Sequence, residues 1–176
     1  MALLSAAMTP LPTERLRLRE ANPDDAPFVL RLLNEPGWHQ YISDPGVRTL
    51  EQAHQWMEGR LLKSYRELGF GFWLVERRSD AELLGLCGLF RRPVLDGPDL
   101  GYALLSEHEG QGYAGEAARA CIAHARDGLG WTELLAITSP DNPRSAALLR
   151  KLGFADRGLK DVEGYAGPSR LWHLDL

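Results

Sequence analysis

The run of residues 99–129 constrains this chain most, because it sets a strand, a glycine turn and a helix in direct succession. Leu100-Gly101-Tyr102-Ala103-Leu104-Leu105 is an apolar segment of strand character, and a polar turn follows at residues 106–109. Gly110-Gln111-Gly112-Tyr113-Ala114-Gly115 comes next. Beyond it Ala114, Ala117, Ala118, Cys121, Ile122, Ala125 and Leu129 fall on one face of a helical period. A glycine turn at a helix start aims several unpaired backbone N–H groups at one point, which suits an anion. The arrangement predicts a phosphate-bearing ligand.

The rest of the chain supplies elements to surround that unit. Residues 13–20 alternate Leu16 and Leu18 against Arg15, Arg17 and Arg19, a half-exposed strand. Asn22-Pro23-Asp24-Asp25 opens a helix carrying Phe28, Val29, Leu32 and Leu33, which stops at Pro36-Gly37. Residues 38–48 read as irregular, and Thr49 with Gln52 forms a capping box for a second helix to about Leu68. Residues 70–77 and 83–92 are strand-like and joined by a turn at 78–81, a hairpin. Residues 133–138 make a short strand; Asn142-Pro143 opens a helix with Ala146, Leu148, Leu149 and Leu152 that ends at Gly153. Two strand-like segments, about 154–160 and 169–174, flank a glycine-rich turn. The expected order is β-αα-βββ-α-β-α-ββ, a mixed α/β sheet of about seven strands with four helices. Residues 1–12 read as a loose leader, with Met8 as an alternative start, and 13–176 as a single domain.

Charge and cysteine usage exclude several classes. A net charge of -4 argues against a protein that neutralises nucleic-acid phosphates in bulk. No apolar run approaches the roughly 20 residues of a membrane span. Cys87 and Cys121 lie in apolar surroundings without a CxxC spacing or a partnering histidine, so both are expected as buried thiols of a reduced, cytoplasmic protein. No metal is expected.

Taken alone, Gly110 to Gly115 fits G-x-G-x-x-G, the turn of a dinucleotide-binding enzyme. That fold needs an acid at the end of the following strand to hold a ribose, whereas Glu133 precedes its strand. Only 47 residues follow Leu129, too few to complete a doubly wound sheet.

A second cluster lies about thirty residues downstream: Asn142-x-x-Ser145, then Leu149-x-Lys151-Leu152-Gly153-Phe154. With Leu100-Gly101-Tyr102 and Gly110-Gln111-Gly112-Tyr113-Ala114-Gly115-Glu116-Ala117, these residues resemble the GNAT superfamily of acetyl-CoA-dependent N-acetyltransferases. The resemblance is to the branch that contains the ribosomal-protein N-terminal acetyltransferases, and it spans roughly residues 13–174. It implies a mostly antiparallel central sheet. It implies that the amides of Gly110, Gln111, Gly112, Tyr113, Ala114 and Gly115 hold the coenzyme's pyrophosphate. It also implies that the pantetheine arm pairs with backbone near Leu104 and Leu105, where the central strand and the strand at 133–138 splay apart. Acetyl-CoA is then a cosubstrate and the partner a primary amine, either a protein N-terminus or a small molecule. The protein is expected as a monomer or a homodimer.

Direct attack of an amine on a thioester needs a neutral amine, a donor to the carbonyl and a proton for the departing sulfur. The resemblance assigns the carbonyl donor to the Leu104 amide. Many superfamily members place an acidic tyrosine seven residues after the asparagine; here that position is Leu149. Ser145 is the substitute, with the plain alternative that it is a helix-start serine bonding locally. Asn142 is a helix cap in any case, and contact of Asn142 and Ser145 with the cofactor would be additional. For the base, Asp99, Glu107, Glu109, His39 and His108 are candidates that also read as ordinary polar residues. An α-amine with pKa near 7.7–8.0 is partly neutral already, so a water relay would suffice. Glu109 and Gln111 stand where the superfamily often has an amide or a base, which leaves the pyrophosphate site poor in charge. Arg119, Arg144, Arg150 and Lys151 are candidates for the coenzyme's 3′-phosphate. Trp38, Tyr41 and Tyr165 are candidates for the acceptor side, with Trp38 and Trp56 equally readable as core. The missing tyrosine keeps a non-catalytic acyl-CoA-binding module as the alternative function.

Overall fold

The protein is described here by a computed structural model covering residues 9, 10 and 12–176. Most of the expected leader, and the start at Met8, fall outside the described residues. One seven-stranded sheet runs in the order β1-β2-β3-β4-β5-β7-β6. The strands are β1 (Leu16–Arg19), β2 (Phe72–Arg77), β3 (Leu83–Phe90), β4 (Asp99–Leu104), β5 (Glu133–Thr138), β6 (Ala155–Asp161) and β7 (Pro168–Asp175). Every neighbouring pair is antiparallel except β4 with β5.

That exception positions the site. β4 pairs with β3 along its length, from Phe90↔Asp99 to Gly85↔Leu104. β5 pairs with β7 along its length, from Glu133↔Asp175 to Thr138↔Arg170. Between the two halves the ladder holds at Asp99↔Leu135 alone, where the Leu135 amide donates to Pro98 O at 2.8 Å. Past it the strands part, and among the described residues the edge of β4 that faces β5 has no strand to bond.

The helices follow their caps. Asn22 accepts from the Asp24 amide and its own amide donates to Asp25, opening a 3-10 turn (Pro23–Asp25) that leads into α1 (Ala26–Leu33). Thr49 and Gln52 bond reciprocally as expected and start α3 (Leu50–Met57), which continues through a π-helical turn (Glu58–Leu62) into α4 (Lys63–Leu68). α5 (Tyr113–Ala123) lays Ala117, Ala118 and Cys121 on the sheet, all fully buried, and its small residues let it pack close. α6 (Pro143–Lys151) starts at Asn142, whose Oδ1 accepts from the Ser145 amide at 3.2 Å.

The sequence expectation fails in one segment. Residues 38–41 are not irregular but belong to a short helix, α2 (Pro36–Tyr41). Pro36 occupies its first turn, where a missing N–H costs nothing, so the proline that ends one helix begins the next. At the far end of the sheet Trp172 is fully buried, and its indole N–H donates to Thr138 Oγ1 at 3.0 Å. Among the described residues, no helix is long and apolar enough to cross a membrane.

Candidate active site

The antiparallel ladder between β3 and β4 fixes which backbone groups are free. Residues on a ladder alternate in the side to which their N–H and C=O point. The Leu105 amide donates to Leu84 O at 2.9 Å, so Leu105, Ala103 and Gly101 are turned toward β3. Leu104 and Tyr102 are therefore turned toward the gap beside β5. Of the two residues expected near the thioester, Leu104 has its amide in that gap and Leu105 has its amide committed to β3.

Just past β4, the short 3-10 turn Ser106–His108 leads to the glycine loop. Gly110 and Gly112 hold φ of 74° and 83°, the left-handed region that glycine enters without strain. Gly112 caps α5, and the first helical bond runs from the Glu116 amide to Gly112 O at 3.1 Å. Among the described residues, the amides of Gly110 through Gly115 find no acceptor. They gather at the positive end of the α5 dipole, the arrangement that holds a phosphate.

Charge at this loop comes from outside it. Arg15, on the approach to β1, donates from Nη1 to Gln111 O at 3.0 Å and lies over the Tyr113 ring, 4.4 Å from its centroid. A Cβ on Gly112 would stand 3.3 Å from Arg15 Nη2. Arg15 also pairs with Glu116 at 2.7 Å. Burial would raise the Glu116 pKa, but the Thr13 hydroxyl and the Arg15 amide and guanidinium outweigh it and hold the carboxyl below its ordinary range. Glu109 is paired with Arg144 of α6 at 2.8 Å, so its charge does not stand alone beside the loop. Of the other cations considered for the 3′-phosphate, Arg150 is turned away over the Trp172 ring, whereas Arg119 borders Gly115.

A cleft of about 1970 Å³ runs from this loop through the β4–β5 gap. Leu104, Gly110, Gly112, Tyr113, Ala114 and Gly115 line it, as do Asn142 and Ser145. Trp38, Tyr41 and Tyr165 line the same cleft. Leu105 and Gln111 are outside the lining; the Gln111 side chain turns back to Glu107 O at 3.4 Å. Trp38 is buried and meets Trp56 edge to face, 6.2 Å between centroids, so it serves the core as well as the cleft.

Ser145 does more than bond locally. Its Oγ lies 2.7 Å from the Tyr102 hydroxyl, which reaches across from β4. Burial pushes the Tyr102 hydroxyl up to about 12, with the Ser145 contact acting in the opposite sense. Leu149, at the position where a tyrosine is common, is fully buried. Tyr102 is thus a cleft hydroxyl that the sequence did not single out, since strand alternation does not reveal which helix a side chain will meet.

The five base candidates separate by place. His39 and Glu109 line the cleft, and Asp99, Glu107 and His108 do not. Asp99 is wholly buried at the β4–β5 junction, 3.1 Å from Arg92 Nε. Burial raises its carboxyl to about 6 against the pull of Arg92. Arg92 in turn donates to the Tyr165 hydroxyl, so Asp99 anchors the arginine that holds the β6–β7 loop.

Comparison with known proteins agrees with this geometry. The family model of the GNAT acetyltransferase domain matches residues 15–155. YkkB of Bacillus subtilis (strain 168) is 30% identical over 150 residues, which is 84% of this chain and 86% of YkkB. An acetyltransferase from Agrobacterium tumefaciens str. C58 has a TM-score of 0.79 at 25% identity, covering 99% of this chain and 98% of its own. RimL, a ribosomal L7/L12 alpha-N-protein acetyltransferase in complex with coenzyme A, shares the fold at a TM-score of 0.80, 19% identity, and 96% and 98% coverage. The parted β4 and β5, the free amides at the start of α5 and the match over residues 15–155 place this chain in the GNAT family of acetyl-CoA-dependent N-acetyltransferases.

Proposed function

We propose that this cleft transfers an acetyl group from acetyl-CoA to a primary amine, on a protein N-terminus or a small molecule, by direct attack with both substrates bound. The observation that carries the reading is the run of free amides from Gly110 to Gly115, which opens into the same cleft as the β4 edge at Leu104. The glycine loop takes the pyrophosphate, with Arg15 and Arg144 adding positive charge. Asn142 and Ser145 flank the arm that reaches from there to the β4–β5 gap. The Leu104 N–H, turned into the gap, donates to the thioester oxygen as charge builds on it.

The C–N bond forms as the C–S bond breaks; the amine gives up a proton and the sulfur takes one. Ser145, held by Tyr102, donates its hydroxyl proton to the departing sulfur and takes a proton back from water in the cleft. Its position on the first turn of α6 puts it beside the gap. An α-amine is neutral in part near pH 8. Water in the cleft, with His39 or Glu109 bordering it, receives the proton. Trp38, Tyr41 and Tyr165 shape the acceptor end, and Arg92 fixes Tyr165.

RimL and a spermidine N-acetyltransferase share this fold and carry names that span protein and polyamine acceptors, which frames the panel to assay. Incubation with acetyl-CoA and a set of amines, including peptides with N-terminal serine and alanine and a polyamine, would be followed by free-thiol release. Amine-dependent thiol release with a matching acetylated product is expected. Tight CoA binding without release for any amine would instead support a non-catalytic acyl-CoA-binding module.

A further inference from the structure

Behind the phosphate loop, away from the cleft, two loops bring three metal-ligating side chains together. Glu82 ends the β2–β3 turn, and Glu107 and His108 belong to the Ser106–His108 turn that leads into the glycine loop. One ligand atom from each lies within 4.8 Å of the others. His108 is 7% exposed, and its Nε2 is buried without a hydrogen-bond partner. Yet that nitrogen faces Glu82 Oε1 at 3.2 Å and Glu107 Oε1 at 3.4 Å. A ring N–H aimed at either carboxylate would have made a hydrogen bond. A buried imidazole nitrogen on which two carboxylate oxygens converge, with a hydrogen bond to neither, is an arrangement that one cation can bridge.

We infer that Glu82, Glu107 and His108 form a zinc-binding site that clamps the β2–β3 hairpin to the turn preceding the phosphate loop. The distances carry the choice of ion. Tetrahedral zinc with ligands at roughly 2.0–2.1 Å sets ligand atoms about 3.3–3.4 Å apart; the two edges to His108, 3.2 and 3.4 Å, are close to that, and the Glu82–Glu107 edge lies within 4.8 Å. One nitrogen and two carboxylate oxygens suit zinc better than calcium or magnesium, which take six or more oxygens. A water completes the fourth position, since Glu82 and Glu107 are partly exposed.

The surrounding groups hold the ligands in place. Glu82 gives its other oxygen to Arg77, and Glu107 gives its other oxygen to Arg31 at 2.9 Å. Arg77 is shared with Asp80 at 2.6 Å. The three acids outweigh the two arginines, so the pocket keeps a net negative charge for a cation. Outer partners of this kind orient metal ligands and sharpen their basicity. Glu82 lies on one loop and Glu107 and His108 on another, with no metal-ligand spacing between them, so no motif marks the set along the chain.

The test uses the full chain, stripped with chelator, and zinc alone as the ligand. Calorimetry should find one equivalent bound with a higher melting temperature, and cobalt substituted for zinc should show the visible absorption of a tetrahedral centre. Glu82→Gln, on the exposed side, should weaken zinc about 100-fold or more and abolish the cobalt band. His108→Asn should do the same, and coenzyme A binding reports whether either variant remains folded. A Glu163→Gln variant, in the distant β6–β7 loop, should bind zinc as the parent does. No zinc uptake by the parent chain would overturn the site. So would uptake that Glu82→Gln and His108→Asn leave unchanged, because the histidine would then be a proton-bearing bridge between two carboxylates.

Discussion

The hydroxyl of Tyr102 lies 2.7 Å from Ser145 Oγ, linking the middle of β4 to the first turn of α6 at the point where the sheet parts. Burial pushes the Tyr102 hydroxyl up to about 12, so the role proposed for it is to hold the serine hydroxyl rather than to surrender a proton. Ser145→Ala should lower kcat about 100-fold while coenzyme A affinity changes about twofold or less. Tyr102→Phe should lower kcat less, and should add little in the Ser145→Ala background because the two act as a unit. Steady-state kinetics with a parallel binding titration reads all three, and an undiminished rate in Ser145→Ala removes it from the reaction.

Gly112 combines φ of 83° with a Cβ direction that meets Arg15 Nη2 at 3.3 Å. Gly112→Asp adds backbone strain of about 1–2 kcal/mol and places a carboxylate where a phosphate should bind, next to the cation meant for it. Coenzyme A affinity should fall about 100-fold or more, with the far-ultraviolet dichroism unchanged. Equal affinity in the folded variant would contradict the assignment of this loop.

Glu109 and Arg144 are exposed, so their ion pair adds little to stability. Their effect should appear in acetyl-CoA binding. Arg144→Ala leaves Glu109 facing the pyrophosphate and should raise KM for acetyl-CoA several-fold, steeply at low salt. Glu109→Gln should restore most of that loss in the double variant, and melting temperatures should stay within a degree or two. Kinetics at two ionic strengths tests this directly.

Asp99 sets a pH dependence of stability. Its folded pKa, about 6, lies above the ordinary carboxylate value, so the folded state prefers the protonated form. The stabilisation from protonation is full below about pH 4 and is lost as pH rises through about 6. Comparing Asp99→Asn with the parent cancels the constant terms. Between pH 4 and pH 8 the difference should move toward the variant by about 2.5 kcal/mol. Denaturant melts at the two pH values measure it; a shift in the other direction would mean that Arg92 outweighs burial.

Much of the fold was legible because local signals and tertiary contacts agree. Thr49 with Gln52 and Asn142 with Pro143 announced helices that the structure caps at those residues. The small-residue stripe of α5 announced the face that meets the sheet. Pro36 misled, since a proline ends one helix and opens another by the same missing N–H. The site was legible in its backbone part, where the glycines of 110–115 must turn the chain. It was hidden in its side-chain part. Arg15 looked like one more arginine on a solvent-facing strand edge, and only the packing of α5 against β1 brings it to Gln111 and Tyr113. The Tyr102–Ser145 contact and the Asp99–Arg92–Tyr165 chain join residues far apart in sequence, and no periodicity encodes such meetings.

On the proposed reading, coenzyme A lies along the glycine loop and into the β4–β5 gap. Amide hydrogen exchange of the full chain with and without coenzyme A tests this most directly. Slowed exchange is expected at Leu104 and at Gly110 through Gly115, whose amides find no acceptor among the described residues, with Leu105 unchanged because Leu84 already holds it. Saturating coenzyme A that leaves the amides of Gly110 through Gly115 exchanging as before, while protecting some other surface, would contradict it.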